Sequence, residues 1–156
     1  KMMIKVDVLT NNKDWKIYIK NPTIYIKRKL IKVQKKISLF KKIEFNFTLL
    51  LSGDKEIRKL NKKFRKKDKI TDILSFPFHE KRKLNKLISE KKNIYLGDII
   101  INLNKTIKQS EKQFFFITFD KLWIHGLSHL LGYRHKLNRD YLMMQKFENK
   151  IIKSTQ

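Results

Sequence analysis

His125-Gly126-Leu127-Ser128-His129-Leu130-Leu131-Gly132-Tyr133-Arg134-His135 gathers three of the chain's four histidines into one short stretch. On an α-helix, residues four apart stand above one another on one face. His125 and His129 therefore aim two imidazoles at a common spot. Gly132 supplies the left-handed conformation that commonly ends a helix. The chain then turns, and His135 returns to the same spot from outside the helix. Three neutral imidazoles with a fourth position left to water form the ligand set of a catalytic zinc-type site. The competing reading, three unrelated histidines on a packed helix, does not account for the glycine. A related spacing, H-E-x-x-H-x-x-G-x-x-H, marks zinc proteases, which carry a glutamate base directly after the first histidine. Here that position is Gly126. The segment can hold a metal but lacks that proton acceptor, so a metal-dependent peptidase is disfavoured.

Outward from this stretch, the strongest strand and helix signals alternate. Met3 to Leu9 alternates apolar and polar residues, as an opening strand does. Asn21-Pro22 reads as an N-cap and first helical position, opening a helix to about Ser38. Glu44 to Leu51 is rich in strand formers. Ser52-Gly53-Asp54 caps a helix that runs to about Arg65, with Ile57, Leu60 and Phe64 on one side. Thr71 to Phe78 and Ile94 to Ile101 read as further strands. The charged segment from His79 to Asn93 reads as a surface loop with room for a helical turn, and His79 as a solvated side chain. Asn102 to about Phe116, Asp120 to Leu131, and Asn138 to Ile152 are expected as helices, the last with Leu142, Met143, Phe147 and Ile151 inward. The sum is an α/β (α+β) domain over residues 1–156, with a small mixed sheet of about four strands and about five helices.

Composition narrows the classes. The chain has 156 residues, 41% apolar and 12% aromatic, enough for one domain with a real core. No apolar run approaches the ~20 residues of a membrane helix, and the N-terminus lacks the apolar block of a secretory signal. A cytoplasmic protein is expected. There are no cysteines, which excludes thiolate ligands and disulfides. The net charge of +24 attracts polyanions, nucleic acid above all. Lysine far outnumbers arginine, however, and alanine is absent. That pattern is also the mark of A/T mutational bias, so charge counts toward RNA only beside a site able to cut a phosphodiester.

Three blocks together resemble the YbeY family of single-domain bacterial metal-dependent endoribonucleases. The histidine stretch is similar to the family's H-G-x-L-H-L-x-G-Y-D-H. Leu60-Asn61-Lys62-Lys63-Phe64-Arg65 through Asp68 to Thr71-Asp72-Ile73-Leu74-Ser75-Phe76-Pro77 is similar to L-N-x-x-[YF]-R-x-x-D-x-x-T-D-V-L-S-F-P. Leu96-Gly97-Asp98-Ile99 matches L-G-D-I, and Met144 and Glu148 match a family Met and Glu downstream. The resemblance implies a zincin-like fold, one Zn2+ or similar divalent ion on His125, His129 and His135, and cleavage of RNA. It also implies a role in maturation of small-subunit ribosomal RNA and in ribosome quality control, with the small subunit and its proteins as partners. By position, Arg65 is the family's arginine, a plausible phosphate clamp working with the His125 site. Asp72 and Asp98 could orient a ligand imidazole, accept a proton or simply cap turns.

Two residues depart from the family pattern. Ser128 puts a hydroxyl where a leucine is usual, a modest cost if it finds a partner. Arg134 replaces an aspartate beside the third histidine, which opposes cation binding or offers a phosphate contact. A ribosome- or RNA-binding factor with decayed catalysis is therefore the alternative to an active nuclease.

Overall fold

The computed structural model describes residues 1–156. Its frame is a four-stranded sheet: β1 (Ile4–Thr10), β2 (Phe45–Ser52), β3 (Ile73–Pro77) and β4 (Ile94–Asn102), in the order β1-β2-β4-β3. β1, β2 and β4 run parallel, and β3 lies antiparallel to β4 on the edge. Eight α-helices surround it rather than five. They are α1 (Trp15–Tyr18), α2 (Pro22–Lys36), α3 (Leu39–Lys42), α4 (Asp54–Arg65), α5 (Lys81–Ser89), α6 (Leu103–Gln109), α7 (Phe115–Leu130) and α8 (Asn138–Ser154). None is long and apolar enough to cross a membrane.

The two faces of the sheet are unequal. Ile4, Val6, Phe45, Phe47, Leu49, Leu51, Ile99 and Ile101 point to one side and join the main core with α2 and α7. On the other side Leu74 and Ile100 form a much smaller cluster with Ile57 of α4, flanked by the partly buried Leu50, Leu60 and Phe76. This period-two alternation is what a half-covered sheet demands. α7 runs beneath the sheet and is buried along most of its length, through Phe119, Leu122, Trp123, Ile124, Leu127 and Leu130. A partly buried carboxylate ties it to α2: Asp120 accepts hydrogen bonds from the Tyr25 hydroxyl (2.9 Å) and the Trp123 indole (2.9 Å).

The helix boundaries show where the lysine-rich composition masks a pattern. The segment expected as a loop folds as α5, because Leu84, Leu87 and Ile88 form an inward stripe among lysines. The single helix expected from Asn102 breaks after Gln109. A 3-10 turn over Ser110–Lys112 and an extended Gln113 reset the chain, so α7 starts at Phe115 rather than Asp120. In α8, Leu142 and Met143 are 63% and 57% exposed, while Met144 is 2% exposed. Three consecutive apolar residues advance about 100° each, and only one of them can face α7. Phe64, expected on the inner side of α4, is also exposed.

β3 owes its place to β4. Gly97 adopts φ 131°, and a Cβ there would lie 2.2 Å from the Phe76 carbonyl oxygen and 2.9 Å from the Phe78 nitrogen. The clash is with backbone, which cannot step aside. Gly97→Ala should therefore cost on the order of 3 kcal/mol, from backbone strain plus overpacking. Urea denaturation reads this, and an unchanged midpoint would contradict the close approach of the two strands.

Candidate metal centre

Helix α7 delivers two histidines and its terminus delivers the third. His125 and His129 stand one turn apart near its end, with Nε2 atoms 3.1 Å apart. Leu131 caps the helix and Gly132 takes φ 94°. The Gly132 N–H donates to the His129 carbonyl (2.9 Å) and the Tyr133 N–H to the Ser128 carbonyl (3.1 Å). These two bonds are the Schellman pattern that closes a helix on a left-handed glycine. The reversed chain brings His135 back, and one ring nitrogen from each histidine falls within 4.8 Å of the others. His125 and His129 are half-buried and His135 is exposed.

The outer ring nitrogens decide the chemistry. His125 Nδ1 lies 2.9 Å from Glu148 Oε2, and His129 Nδ1 lies 3.0 Å from the Tyr133 carbonyl oxygen. Both partners are acceptors, so both Nδ1 atoms carry the proton and donate it outward. Both Nε2 lone pairs then face inward toward each other, an arrangement that repels unless a cation lies between. A proton is a poor candidate, because burial, and then the neighbouring His125, push the His129 pKa down to about 4. A divalent ion fits: tetrahedral bonds of ~2.0–2.1 Å would set two nitrogens about 3.3 Å apart. Imidazoles whose far N–H is tied to a carboxylate or carbonyl are the usual company of such an ion.

Further residues brace this arrangement. Tyr133 supplies the carbonyl that fixes His129, and its ring stacks on Phe147 of α8 at 4.5 Å and 16°. The Lys81 ammonium lies 5.3 Å from the centre of the Tyr133 ring and donates to the Leu131 carbonyl (3.2 Å). Ser128 is fully buried, and its hydroxyl donates back to the Ile124 carbonyl at 2.8 Å, so the unusual residue is satisfied. Arg134 is exposed and forms no salt bridge; partial burial of the Lys81 amine, and then the Arg134 charge, lower the pKa of Lys81.

The remaining expected residues lie elsewhere. Arg65, at the end of α4, donates to the Ser75 carbonyl (2.5 Å), and its guanidinium carbon lies 5.3 Å from the centre of the Phe76 ring. Alternate residues of β3 bond to β4, so the Ser75 carbonyl belongs to the strand's free edge. The other side of β3 packs on α7, where Ile73 borders Gly126. Arg65 thus sits on the edge of the strand that lies against the metal-site helix, but touches no histidine. Asp72 receives the Gln109 amide (2.8 Å), and its carbonyl the Asn102 N–H, tying β3 to α6. Asp98 accepts from the Tyr95 hydroxyl on the sheet face opposite α7. Neither aspartate meets an imidazole. His79 is partly buried, edge-on to the Phe78 ring at 4.9 Å. Glu148 was visible in the sequence only as a position of resemblance. A carboxylate four residues from Met144 on one helix face, in a chain with just 14 acidic residues, was the available signal. Lys81 had none, since it lay in a segment read as loop.

Position 126 bears on the peptidase alternative. A Cβ on Gly126 would lie 2.8 Å from Ile99 Cγ2 and 3.1 Å from Ile73 Cδ1. The position faces the sheet, so no side chain there reaches the metal side.

Two substitutions test the electrostatics. Glu148→Gln keeps an acceptor but loses the charge that favours a bound cation, and should weaken metal affinity about tenfold or more. Arg134→Asp exchanges a cation for a carboxylate next to His135 and should strengthen retention. Chelator competition measures both, and equal affinity in all three proteins would remove these groups from the site.

Comparison with known proteins gives the family. Residues 9–156 match the family model described as Endoribonuclease YbeY. The chain is 39% identical over 155 residues to Endoribonuclease YbeY of Pelagibacter ubique, covering 97% of this chain and 95% of that one. It is 37% identical over 136 residues to Endoribonuclease YbeY of Buchnera aphidicola from Acyrthosiphon pisum, covering 84% and 79%. The solution structure of TM1509 from Thermotoga maritima superposes with a TM-score of 0.56 at 23% identity, over 94% of this chain and 88% of that one, a likeness of fold. With a family model spanning nearly its whole length and relatives above 30% identity matched over most of their own length, this chain belongs to the endoribonuclease YbeY family.

Proposed function

We propose that this chain is a metal-dependent endoribonuclease that cuts single-stranded segments of ribosomal RNA during maturation of the small subunit, with one Zn2+ per chain on His125, His129 and His135. The observation that carries the reading is the pair of Nδ1 atoms set against acceptors, His125 against the Glu148 carboxylate and His129 against the Tyr133 carbonyl. That pairing presents bare Nε2 atoms to one point. Family membership supplies RNA as the substrate class, and the net charge of +24 suits a polyanion.

A bound ion of this kind supplies Lewis acidity toward a phosphoryl oxygen and an activated water. The chain's own residues do the rest. Glu148 holds His125 in one tautomer and offsets positive charge at the centre. The Gly132 turn fixes His135 relative to the helix pair. Arg65, reaching across the free edge of β3, clamps phosphate oxygens, because its planar fork matches two of them. Its bond to the Ser75 carbonyl leaves the other guanidinium N–H groups for that task. Nothing at position 126 offers a proton acceptor, which leaves peptide hydrolysis without its base.

Metal analysis and cleavage of structured ribosomal RNA, each with and without chelator, test the reading. About one ion per chain and chelator-sensitive cleavage are expected, with both lost in His129→Ala. Equal metal content in that variant would sink the proposed site, and hydrolysis of a peptide but not RNA would revive the peptidase.

Arg65 gives a second test. Losing a donor that acts mainly in the transition state typically costs on the order of a hundredfold in rate. Arg65→Ala should thus slow single-turnover cleavage far more than it weakens RNA binding, with metal content normal. Arg65→Lys should recover only part of the rate. Matched losses in binding and cleavage would make Arg65 an ordinary contact.

A further inference from the structure

One feature of the surface is unused by the metal centre. Phe64 and Phe78 are 56% and 66% exposed, whereas Phe40, Phe45, Phe47 and Phe119 are fully buried. Phe76 lies between them in the chain. Phe64 meets Phe76 edge-on at 5.4 Å, and Phe78 meets Tyr95 at 5.5 Å and His79 at 4.9 Å. Phe76 and Phe78 are two apart on the chain, and the Phe78 N–H still bonds to the Leu96 carbonyl (2.9 Å), so the extended ladder continues past Pro77. Their rings therefore lie on one sheet face, the face that only α4 covers. Cations sit against the same rings: Lys63 is 5.3 Å from the centre of Phe64 and Arg65 is 5.3 Å from that of Phe76. Lys62, Lys66, Lys67 and Lys69 follow along the same segment, with Lys66 turned out by a left-handed φ of 59°.

We propose that Phe64, Phe76 and Phe78, flanked by Lys63 and Arg65, form a base-stacking track for single-stranded RNA along the edge strand β3. The inference rests on the RNA-cleaving reading of the metal centre and says how the substrate is held.

Three physical points select this occupant. First, exposed aromatic faces beside cations are how proteins grip single strands without sequence preference, with bases on the rings and phosphates on the cations. An apolar protein surface would gain nothing from the ammonium and guanidinium groups seated on these rings. Second, side chains two apart on a strand face are about 7 Å apart, twice the ~3.4 Å spacing of stacked bases. Adjacent rings can take only bases that have been pulled apart, which a duplex does not offer. Third, Arg65 belongs to both features. It stacks on Phe76 and bonds the free-edge carbonyl of Ser75, in the strand that packs on α7. A strand held on the rings is delivered to the residue proposed as the phosphate clamp. The Asp98 carboxylate, cross-strand partner of Phe76, is occupied by the Tyr95 hydroxyl, while the cations lie on the α4 side of the rings.

Stacking and charge neutralisation are separable in binding data, and this supplies the test. Fluorescence anisotropy would follow a labelled 12-nucleotide oligouridylate and a 12-base-pair RNA duplex across a range of salt. The proteins compared are the full chain, Phe64→Ala, Phe78→Ala, the double variant and Phe78→Tyr. Each alanine should weaken single-strand binding on the order of tenfold, as loss of one stacked base does. The slope of log K against log salt should not change, because no cation is removed. Duplex affinity should also hold, and Phe78→Tyr should bind like the parent because a ring remains. Both rings are surface groups, so melting temperatures should match and report intact folding. Unchanged single-strand affinity in the double variant overturns the proposal, whatever else the rings contact. Equal losses for single strand and duplex also overturn it. The chelator experiment on the unmodified chain judges the cleavage reading separately, since this comparison requires no turnover.

Discussion

The three-histidine cluster depends on how closely α7 approaches the sheet. At Gly126 the helix presses against Ile99 of β4 and Ile73 of β3, with no room for a side chain. That contact fixes the height and rotation of the helix. Because His125 and His129 lie on another face of the same turns, pressing position 126 into the sheet holds both imidazoles outward. Their direction in turn sets Nε2 inward and Nδ1 toward Glu148 and the Tyr133 carbonyl. A wider gap would tilt the helix and dissolve the match between ring and acceptor on which the ligand tautomers rest.

A second constraint is charge. The chain carries 38 Lys and Arg against 14 Asp and Glu, and several of these few carboxylates join one element to another. Asp120 joins α2 to α7. Asp54 receives the side-chain amides of Asn102 (2.8 Å) and Asn104 (2.9 Å), pinning the start of α4 to the end of β4. Asp68 pairs with Arg58 (2.8 Å) and settles the loop leading to β3. Glu148 alone is committed to a histidine of the metal centre. The acids hold elements in register while most cations face solvent, which produces a positive exterior around one cation-seeking point.

The departures from the family pattern divide along the same line. Ser128 is absorbed by a backbone carbonyl one turn back and leaves the helix intact. Arg134 faces outward without a counter-charge, next to a histidine proposed as a ligand. The first is a packing change already compensated, and the second is an electrostatic change whose cost would fall on a cation held by the three histidines.

The sequence by itself determined the periodic elements and the local geometry of the centre. An i, i+4 histidine pair, a glycine suited to a left-handed cap and a third histidine three residues later are short-range facts, decided by helical pitch and backbone sterics. The four strands were legible because their apolar alternation survives the lysine background, and the long helices because Pro22 at the start of α2 and Gly132 at the end of α7 mark their boundaries. The tertiary structure alone decided the rest. α5 was hidden because lysines at flanking positions swamp a three-residue stripe. The parallel order β1-β2-β4 with β3 reversed on the edge depends on the Gly97 crossing, a contact between segments about 20 residues apart. That Glu148 rather than Asp72 or Asp98 meets an imidazole follows from the packing of α8 on α7, and no spacing along the chain encodes the distance between two helices. Local rules fix what each segment is, whereas partners across the fold are chosen by how the segments pack.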